Sequence, residues 1–423
     1  MKKKILIITS SGGGGLLQSA IAIANNEKKK NPDVKIIKRD VLEDWARFKI
    51  GRIFKNFYNW TQKRGKVNIQ TFLVKCNLYA NSILFPFIFF NTLFLLFKEK
   101  IDKVIDNQPI SPAAVIKAIR IYNKICKKTI VLQKVFVDLP TPQYAQFMKS
   151  VKNLSKKDKK HINIITIKPL LEKNQREEHF WEKYCGLSKE KVIYRDYLIR
   201  DSFDLFRNLK KEDKDFKIFL KTYFLEETNL IKQCLEKGFF SFIEKKEGLE
   251  FNILKNDKLI VVLLGSKPAS EATYEYVKNF IKICKNLKDR FYIFAFCGKF
   301  SSNKKKAFRK ICDLVDNTKE FPKNLNIIPM SFQKDNIIAS LFHRSDLTIT
   351  RSGGQTIMEL IAVAKSHKWI HSETKKKNKK LSKEILLKGI PFWEMGNAMY
   401  LQKKDNGDIV TPEILEDKIK NIF

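Results

Sequence analysis

Residues Asp346 to Leu360, DLTITRSGGQTIMEL, constrain the fold more than any other stretch of the chain. Asp346 to Ile349 reads as a short buried strand, Arg351 to Gly354 as a tight turn at its carboxyl end, and Gln355 onward as a helix whose first amides point back at the turn. A strand running through a glycine turn into a helix is the repeating unit of a layered α/β domain. The turn is also an anion site, because two glycines let the backbone approach closely and the unpaired N–H groups and helix dipole favour phosphate. Many Gly-Gly turns only connect a strand to a helix. This one has Arg351 before it and Glu359 inside the helix, and a carboxylate just past a phosphate turn can accept from the two hydroxyls of a ribose, so the pattern points to nucleotide recognition.

The same rhythm recurs along the chain. Lys258 to Leu264 reads as a strand, followed by the turn Gly265-Ser266 and a helix from Ala269 to Asn286. Tyr292 to Cys297 and Leu325 to Pro329 supply further strands, and Asn336 to Leu341 lies on a short helix before the opening motif. In the first half, Lys4 to Thr9 (KILIIT) is a fully buried strand, Ser10 to Gly15 a glycine-rich turn and Leu16 to Asn25 the helix it opens. Strands are expected at Lys35–Arg39, Lys103–Gln108, Thr129–Val137, His161–Ile167 and Val192–Asp201, with a helix at Pro112–Lys127. The organisation is then residues 1–203 as one Rossmann-like domain, 204–257 as a charged linker or insertion, and 258–423 as a second Rossmann-like domain.

The motif TRSGGQTIMEL resembles the donor-binding segment of the GT-B glycosyltransferases that include the monogalactosyldiacylglycerol synthases and the N-acetylglucosaminyltransferase that forms lipid II. In these enzymes a strand ends in R/K-S/P-G-G or R-S-G-A and runs into T-x-x-E. The resemblance implies two Rossmann-like domains facing across a cleft, with a nucleotide sugar on the second. The donor diphosphate would lie at Gly265, Ser266, Arg351, Ser352, Gly353, Gly354, Gln355 and Thr356, with Lys267 as a further cation, and the ribose at Glu359. A second motif, GIPFWEMGNAMYL from Gly389 to Leu401, resembles the segment that contacts the donor sugar, which implies Glu394, Gly396 and Asn397 in that role. Trp393 stands where the family commonly has glutamine, and Asn397 also reads as a local helix cap.

The amino-terminal turn departs from the family. There the glycine loop ends in a histidine at the acceptor site, and aligning the helices puts Leu16 at that position, with Gly13, Gly14 and Gly15 as the acceptor loop. Leucine cannot accept a proton. Asp138, at the carboxyl end of the strand KVFV where α/β clefts put their ligands, is the candidate replacement base, and it reads as readily as a turn residue before a proline. Ser10, Ser11 and Gln18 are polar neighbours suited to orientation, and His161 and His179 lie elsewhere in the domain. The resemblance implies an inverting transfer of a hexose from a uridine diphosphate sugar with no cofactor or metal. A catalytically silent nucleotide-sugar-binding protein, or an epimerase or hydrolase on the same scaffold, remains open.

Composition narrows the setting. The 423 residues are enough for two cores, and seven cysteines and five histidines without metal spacing read as a reduced compartment. No secretory signal follows Lys2 to Lys4, because a short strand begins at once. The net charge of +37, carried in runs such as Lys28–Lys30, Lys156–Lys160, Lys304–Lys306 and Lys375–Lys380, attracts polyanions and also matches the lysine-rich bias of an AT-rich genome. No zinc finger or RNA-binding signature supports specific reading of nucleic acid. Ile83 to Phe97 (ILFPFIFFNTLFLLF) is 15 residues long and broken by Pro86 and Asn91, short of the roughly 20 that span a bilayer. It reads equally as a core helix or a membrane contact, and the basic flank at Lys98 and Lys100 favours an interfacial dip. The expectation is a cytoplasmic protein on the inner face of a membrane, with a lipid acceptor; the oligomeric state stays open.

Overall fold

The computed structural model describes every residue except 1, 13, 46–49, 111, 172–174, 211–213, 240–241, 375–380 and 405–406. Two parallel sheets, each of six strands, form two α/β domains that face one another across a cleft, as expected of the GT-B architecture. The first contains β1 (Lys4–Thr9), β2 (Lys35–Asp40), β3 (Lys103–Asp106), β4 (Leu132–Val135), β5 (Ile162–Thr166) and β6 (Val192–Tyr194) in the order β2-β1-β3-β4-β5-β6. Near-continuous apolar runs such as KILIIT suit strands covered on both faces, and Ile5, Leu6, Ile7 and Ile8 are all buried. The register pairs Ile5 with both Ile36 and Lys103, so β1 lies at the point where the chain reverses direction across the sheet.

Four helices of this domain matter for the site. Helix α1 (Gly14–Lys30) follows the glycine turn, and α2 (Ile50–Lys63), α3 (Val67–Lys75) and α4 (Asn77–Glu99) fill the long interval before β3. The apolar run expected to stop at 15 residues lies within the 23-residue helix α4, and Asn81–Glu99 is by length and composition able to cross a membrane. Extension through Asn77 to Ser82 at one end, and through Lys98 and Glu99 at the other, makes the helix longer than the apolar run. One face of α4 packs on α5 (Pro112–Cys126), burying Ile88, Thr92, Leu95 and Leu96, while Ile83, Phe90, Phe94 and Phe97 remain exposed. The burial repeats at helical spacing and leaves an unpartnered apolar stripe opposite.

One expected strand is corrected here, and the stretch that follows takes a definite form. The strand expected over Val192–Asp201 ends at Tyr194; residues after it cross to the second domain, where Ile199 and Phe203 join that domain's core. The stretch 204–257, expected as a charged linker or insertion, is folded. It contains β7 (Phe216–Lys221), β8 (Phe242–Lys245) and β9 (Gly248–Ile253), an antiparallel sheet in the order β7-β9-β8, and a helix at Leu225–Glu236. Ile218, Leu220, Leu249 and Phe251 point into the second domain's core, with Phe251 and Phe294 in an edge contact at 6.0 Å between ring centres. Charged residues between the apolar ones, Lys217 and Lys221 on β7, Glu244 and Lys245 on β8 and Glu250 on β9, mask this alternation in the sequence.

The second sheet runs β12-β11-β10-β13-β14-β15, all parallel, from β10 (Lys258–Leu263), β11 (Phe291–Phe296), β12 (Leu325–Met330), β13 (Leu347–Thr350), β14 (His367–His371) and β15 (Asp408–Val410). A helix at Ala307–Asn317, absent from the sequence reading, joins β11 to β12 and completes the crossover that parallel strands require. β10 pairs with both β11 and β13, so the reversal point lies between β10 and β13. Open parallel sheets bind ligands outside the carboxyl ends of strands at such a point.

Candidate active site

The turns after β10 and β13, which carry Gly265-Ser266 and Arg351–Gly354, lie side by side at that reversal point and face the turn after β1. Between them is a cavity of about 370 Å³. Gly14 packs so closely on Ser266 that a Cβ there would overlap its side chain, and Gly265 has φ +85°, a left-handed conformation that favours glycine. Gly15 and Leu16 line the same cavity; Gly13 lies outside the described residues. Gly265, Ser266, Lys267, Arg351, Gly353, Gly354, Gln355, Thr356, Glu359 and Glu394 form the second domain's wall. Ser352 stands just behind it, buried, with its hydroxyl donating to Glu394 Oε2 at 2.7 Å.

The first domain's wall was not foreseen. Phe54 and Tyr58 of α2, Leu73 and Val74 of α3, with Leu42, Tyr144 and Phe147, make it largely apolar. Helix α2 thus has two apolar faces, since Ile53, Phe57 and Trp60 on its other side are exposed. The segment IFKNFYNW carries this double pattern at helical spacing, a signal that could have been read.

Asp138 lies at the junction of the two domains. Its Oδ1 accepts from the amide of Gly354, the first residue of the helix Gly354–Val363, at 3.0 Å, and from Asn397 Nδ2 at 2.8 Å. A Cβ at Gly354 would overlap the Val137 carbonyl, so only glycine permits this approach. Burial, and next the nearby Glu394 carboxylate, push the Asp138 carboxyl up to about 7 despite those two donors. Burial also raises Glu394, against the pull of the Arg351 guanidinium and the Ser352 hydroxyl. Two neighbouring buried carboxyls, both raised by their burial, are a common property of acid–base sites. Ser10 and Gln18 line the cavity beside Asp138, whereas His161 and His179 are not among its lining residues.

Glu359 is 1% exposed and already engaged. Its Oε1 accepts from Arg200 Nε at 2.7 Å and Gln355 Nε2 at 2.8 Å, and its Oε2 accepts from Arg200 Nη2 at 2.6 Å. Arg200 also donates to Asp335. No sequence signal singles out Arg200, which lies in the crossing segment and meets Glu359 because that segment packs on the second domain, with Ile199 and Phe203 in its core. Arg351 Nη1 donates to the Gln62 carbonyl at 3.1 Å, at the end of α2, and its Nη2 lies 3.8 Å from Glu373.

Of the three residues expected at the donor sugar, the structure brings only Glu394 to the cavity wall. Asn397 is fully buried and spends both amide hydrogens on Asp138 and the Ser352 carbonyl, while its Oδ1 accepts from the Leu139 amide at 2.8 Å. Gly396 packs so tightly on Thr141 that a Cβ would overlap it. Both residues join the domains and neither lines the cavity, whereas Glu394 does. Trp393 is buried against the first domain's core.

Residues 259–382 match the glycosyltransferase family 28 C-terminal domain. No curated protein matches the chain in sequence. Among solved structures, MurG from Acinetobacter baumannii is similar at 13% identity, with 99% of this chain and 90% of that chain covered and a TM-score of 0.46. A glycosyltransferase from Rickettsia africae is similar at 15% identity, covering 100% and 88%, with a TM-score of 0.45. The UDP-GlcNAc 2-epimerase of Methanocaldococcus jannaschii is similar at 11% identity, covering 100% and 91%, with a TM-score of 0.46. The chain therefore has the two-domain GT-B architecture, and its second domain is similar to the C-terminal domain of glycosyltransferase family 28.

Proposed function

We propose that the protein is an inverting glycosyltransferase that moves a hexose from a uridine diphosphate sugar to a lipid acceptor at a membrane surface. The observation that carries this reading is the cavity itself. A phosphate-suited glycine turn, a buried carboxylate at the ribose distance along the helix and a largely apolar opposite wall converge on one volume, and the family 28 match spans the first two. The diphosphate would lie on the amides of the helix Gly354–Val363 and at Gly265 and Ser266. Arg351 and Lys267 would balance the charge that develops as it leaves, so the reading calls for no metal. Asp138 would take the proton of the acceptor hydroxyl. The acceptor oxygen would bond to the anomeric carbon as the bond from that carbon to the diphosphate breaks, with Glu394 beside the sugar. The exposed stripe of α4, the outer face of α2 and the net charge of +37 suit an anionic bilayer, from which a lipid could reach the apolar wall. On this reading the protein works as a peripheral membrane protein on the cytoplasmic face.

A second reading, a nucleotide-sugar-binding protein without turnover, is favoured by Leu16 at the cavity and by the lack of any histidine among the cavity-lining residues. Uridine diphosphate release from a panel of nucleotide sugars, with and without anionic vesicles carrying diacylglycerol or polyprenyl lipids, separates the two. Release that needs one sugar and one lipid is the expected result. Nucleotide binding with no release from any combination would leave the silent protein.

A further inference from the structure

Helix α2 carries a stripe at helical spacing, Phe54, Tyr58 and Gln62, that lines the cavity from the first domain. The Tyr58 ring is stacked on Phe54 with 6.4 Å between ring centres, and the residue is 7% exposed. This end of the helix is fixed to the second domain. The Gln62 carbonyl, one turn on, accepts from Arg351 Nη1 at 3.1 Å, and Trp393, the neighbour of Glu394, packs in the same core as Tyr58. The phenol therefore stands where Glu394, Arg351 and Asp138 meet, and of the three the Glu394 carboxyl bears on it most. Burial, and next Glu394, raise the phenol well above its usual range, so it keeps its proton at neutral pH and acts as a donor. The Gln62 side chain donates towards the phenol oxygen, and among the described residues no group accepts the phenol hydrogen. A buried hydroxyl without an acceptor costs free energy that a phenylalanine at this position would avoid.

We propose that the Tyr58 hydroxyl binds the transferred hexose of the donor, donating a hydrogen bond to one of its oxygens from the first domain while Glu394 accepts from its hydroxyls on the second. The inference rests on the nucleotide-sugar reading and adds to it a sugar contact from an element outside the family 28 match. With the diphosphate at Gly354, Ser266 and Arg351, the sugar attached to it reaches the space beside Glu394 and Asp138, and α2 is the helix that faces this space from the first domain. The two groups are complementary to a hexose, whose hydroxyls both donate and accept: the carboxyl takes their hydrogens and the phenol supplies one. Held from opposite walls, the sugar ring has less freedom to turn its anomeric carbon away from the acceptor oxygen than one wall would leave it. The phenol neither gains nor loses a proton in the transfer.

The test is calorimetric titration of the full chain with uridine diphosphate alone and with UDP-glucose, UDP-galactose and UDP-N-acetylglucosamine. The wild type is compared with Tyr58→Phe, which keeps the ring on Phe54 and removes only the hydroxyl; Tyr58→Met serves if that variant does not fold. The expected result is that the sugar nucleotide the wild type binds best is bound about threefold or more weaker by the variant, while uridine diphosphate is bound equally by both. Weakening of uridine diphosphate by the same factor would make Tyr58 a structural part of the wall, and unchanged binding of every sugar nucleotide would leave its hydroxyl without a ligand. Either result overturns the contact and leaves the nucleotide reading intact. Failure of the wild type to bind uridine diphosphate or any of the three sugar nucleotides overturns the nucleotide-sugar reading itself.

Discussion

At the scale of single residues, Asp138 is the group whose chemistry the fold changes most. A free aspartate is ionised well below neutrality, but burial and then Glu394 raise this one to about 7. Its folded value exceeds its unfolded value, so the folded chain holds a proton over a range where the unfolded chain has released it. The sign follows: this group's contribution to stability is complete below the ordinary carboxyl range and is lost as pH rises through about 7. Asp138→Asn is therefore expected to lose less melting temperature than the wild type between mildly acidic and neutral pH, as followed by calorimetry. If Asp138 is the base, transfer by the wild type rises with pH through the same range, and Asp138→Asn lowers kcat by about 100-fold or more with that rise gone. Identical pH profiles for both proteins would remove Asp138 from the mechanism. The sequence placed Asp138 at a strand's carboxyl end but could not show its contact with Gly354, which lies 216 positions away.

At the scale of elements, the small antiparallel sheet of β7, β8 and β9 shows how charge can hide a core. Leu220, Leu249 and Phe251 are at most 1% exposed, while Lys217 of β7 and Glu244 and Lys245 of β8 face water. Phe251→Ala is expected to destabilise the protein by about 3–5 kcal/mol, as truncation of a buried aromatic does. A chemical denaturation curve measures this, and a change of only a few tenths would mean that the sheet is not part of the folding unit. The glycine turns were legible because turn, strand and helix are contiguous in the chain. Helices α2 and α3, which make the apolar wall, were not, because their role depends on which of their faces meets the cleft.

At the scale of the whole molecule, the unpartnered stripe of α4 and the net charge act together. Phe90 and Phe94 are 65% and 60% exposed, so replacing both with aspartate is expected to leave the melting temperature unchanged. Co-sedimentation of that variant with anionic vesicles is expected to fall at least tenfold, since each phenylalanine placed in an apolar phase contributes about 1.5–3 kcal/mol. Raising salt is expected to weaken wild-type binding as exposed charges are screened, without abolishing it. Full binding by the variant at low salt would assign the interaction to charge alone and leave the stripe without a lipid role.

Chain order alone accounts for what is local: apolar runs that become parallel strands, glycines that turn at their ends, and a carboxylate at a fixed spacing along the following helix. Those features set the α/β architecture and the second domain's wall of the cavity, since each depends on residues within about one strand-turn-helix unit. What those groups touch follows from the folded arrangement. Packing of the crossing segment on the second domain sets Arg200 on Glu359, while docking of the domains sets Asp138 on Gly354 and Asn397 across both, and withdraws Gly396 and Asn397 from the cavity. Such contacts join positions more than a hundred residues apart, and their partners follow from the packing of whole sheets, which no short pattern encodes.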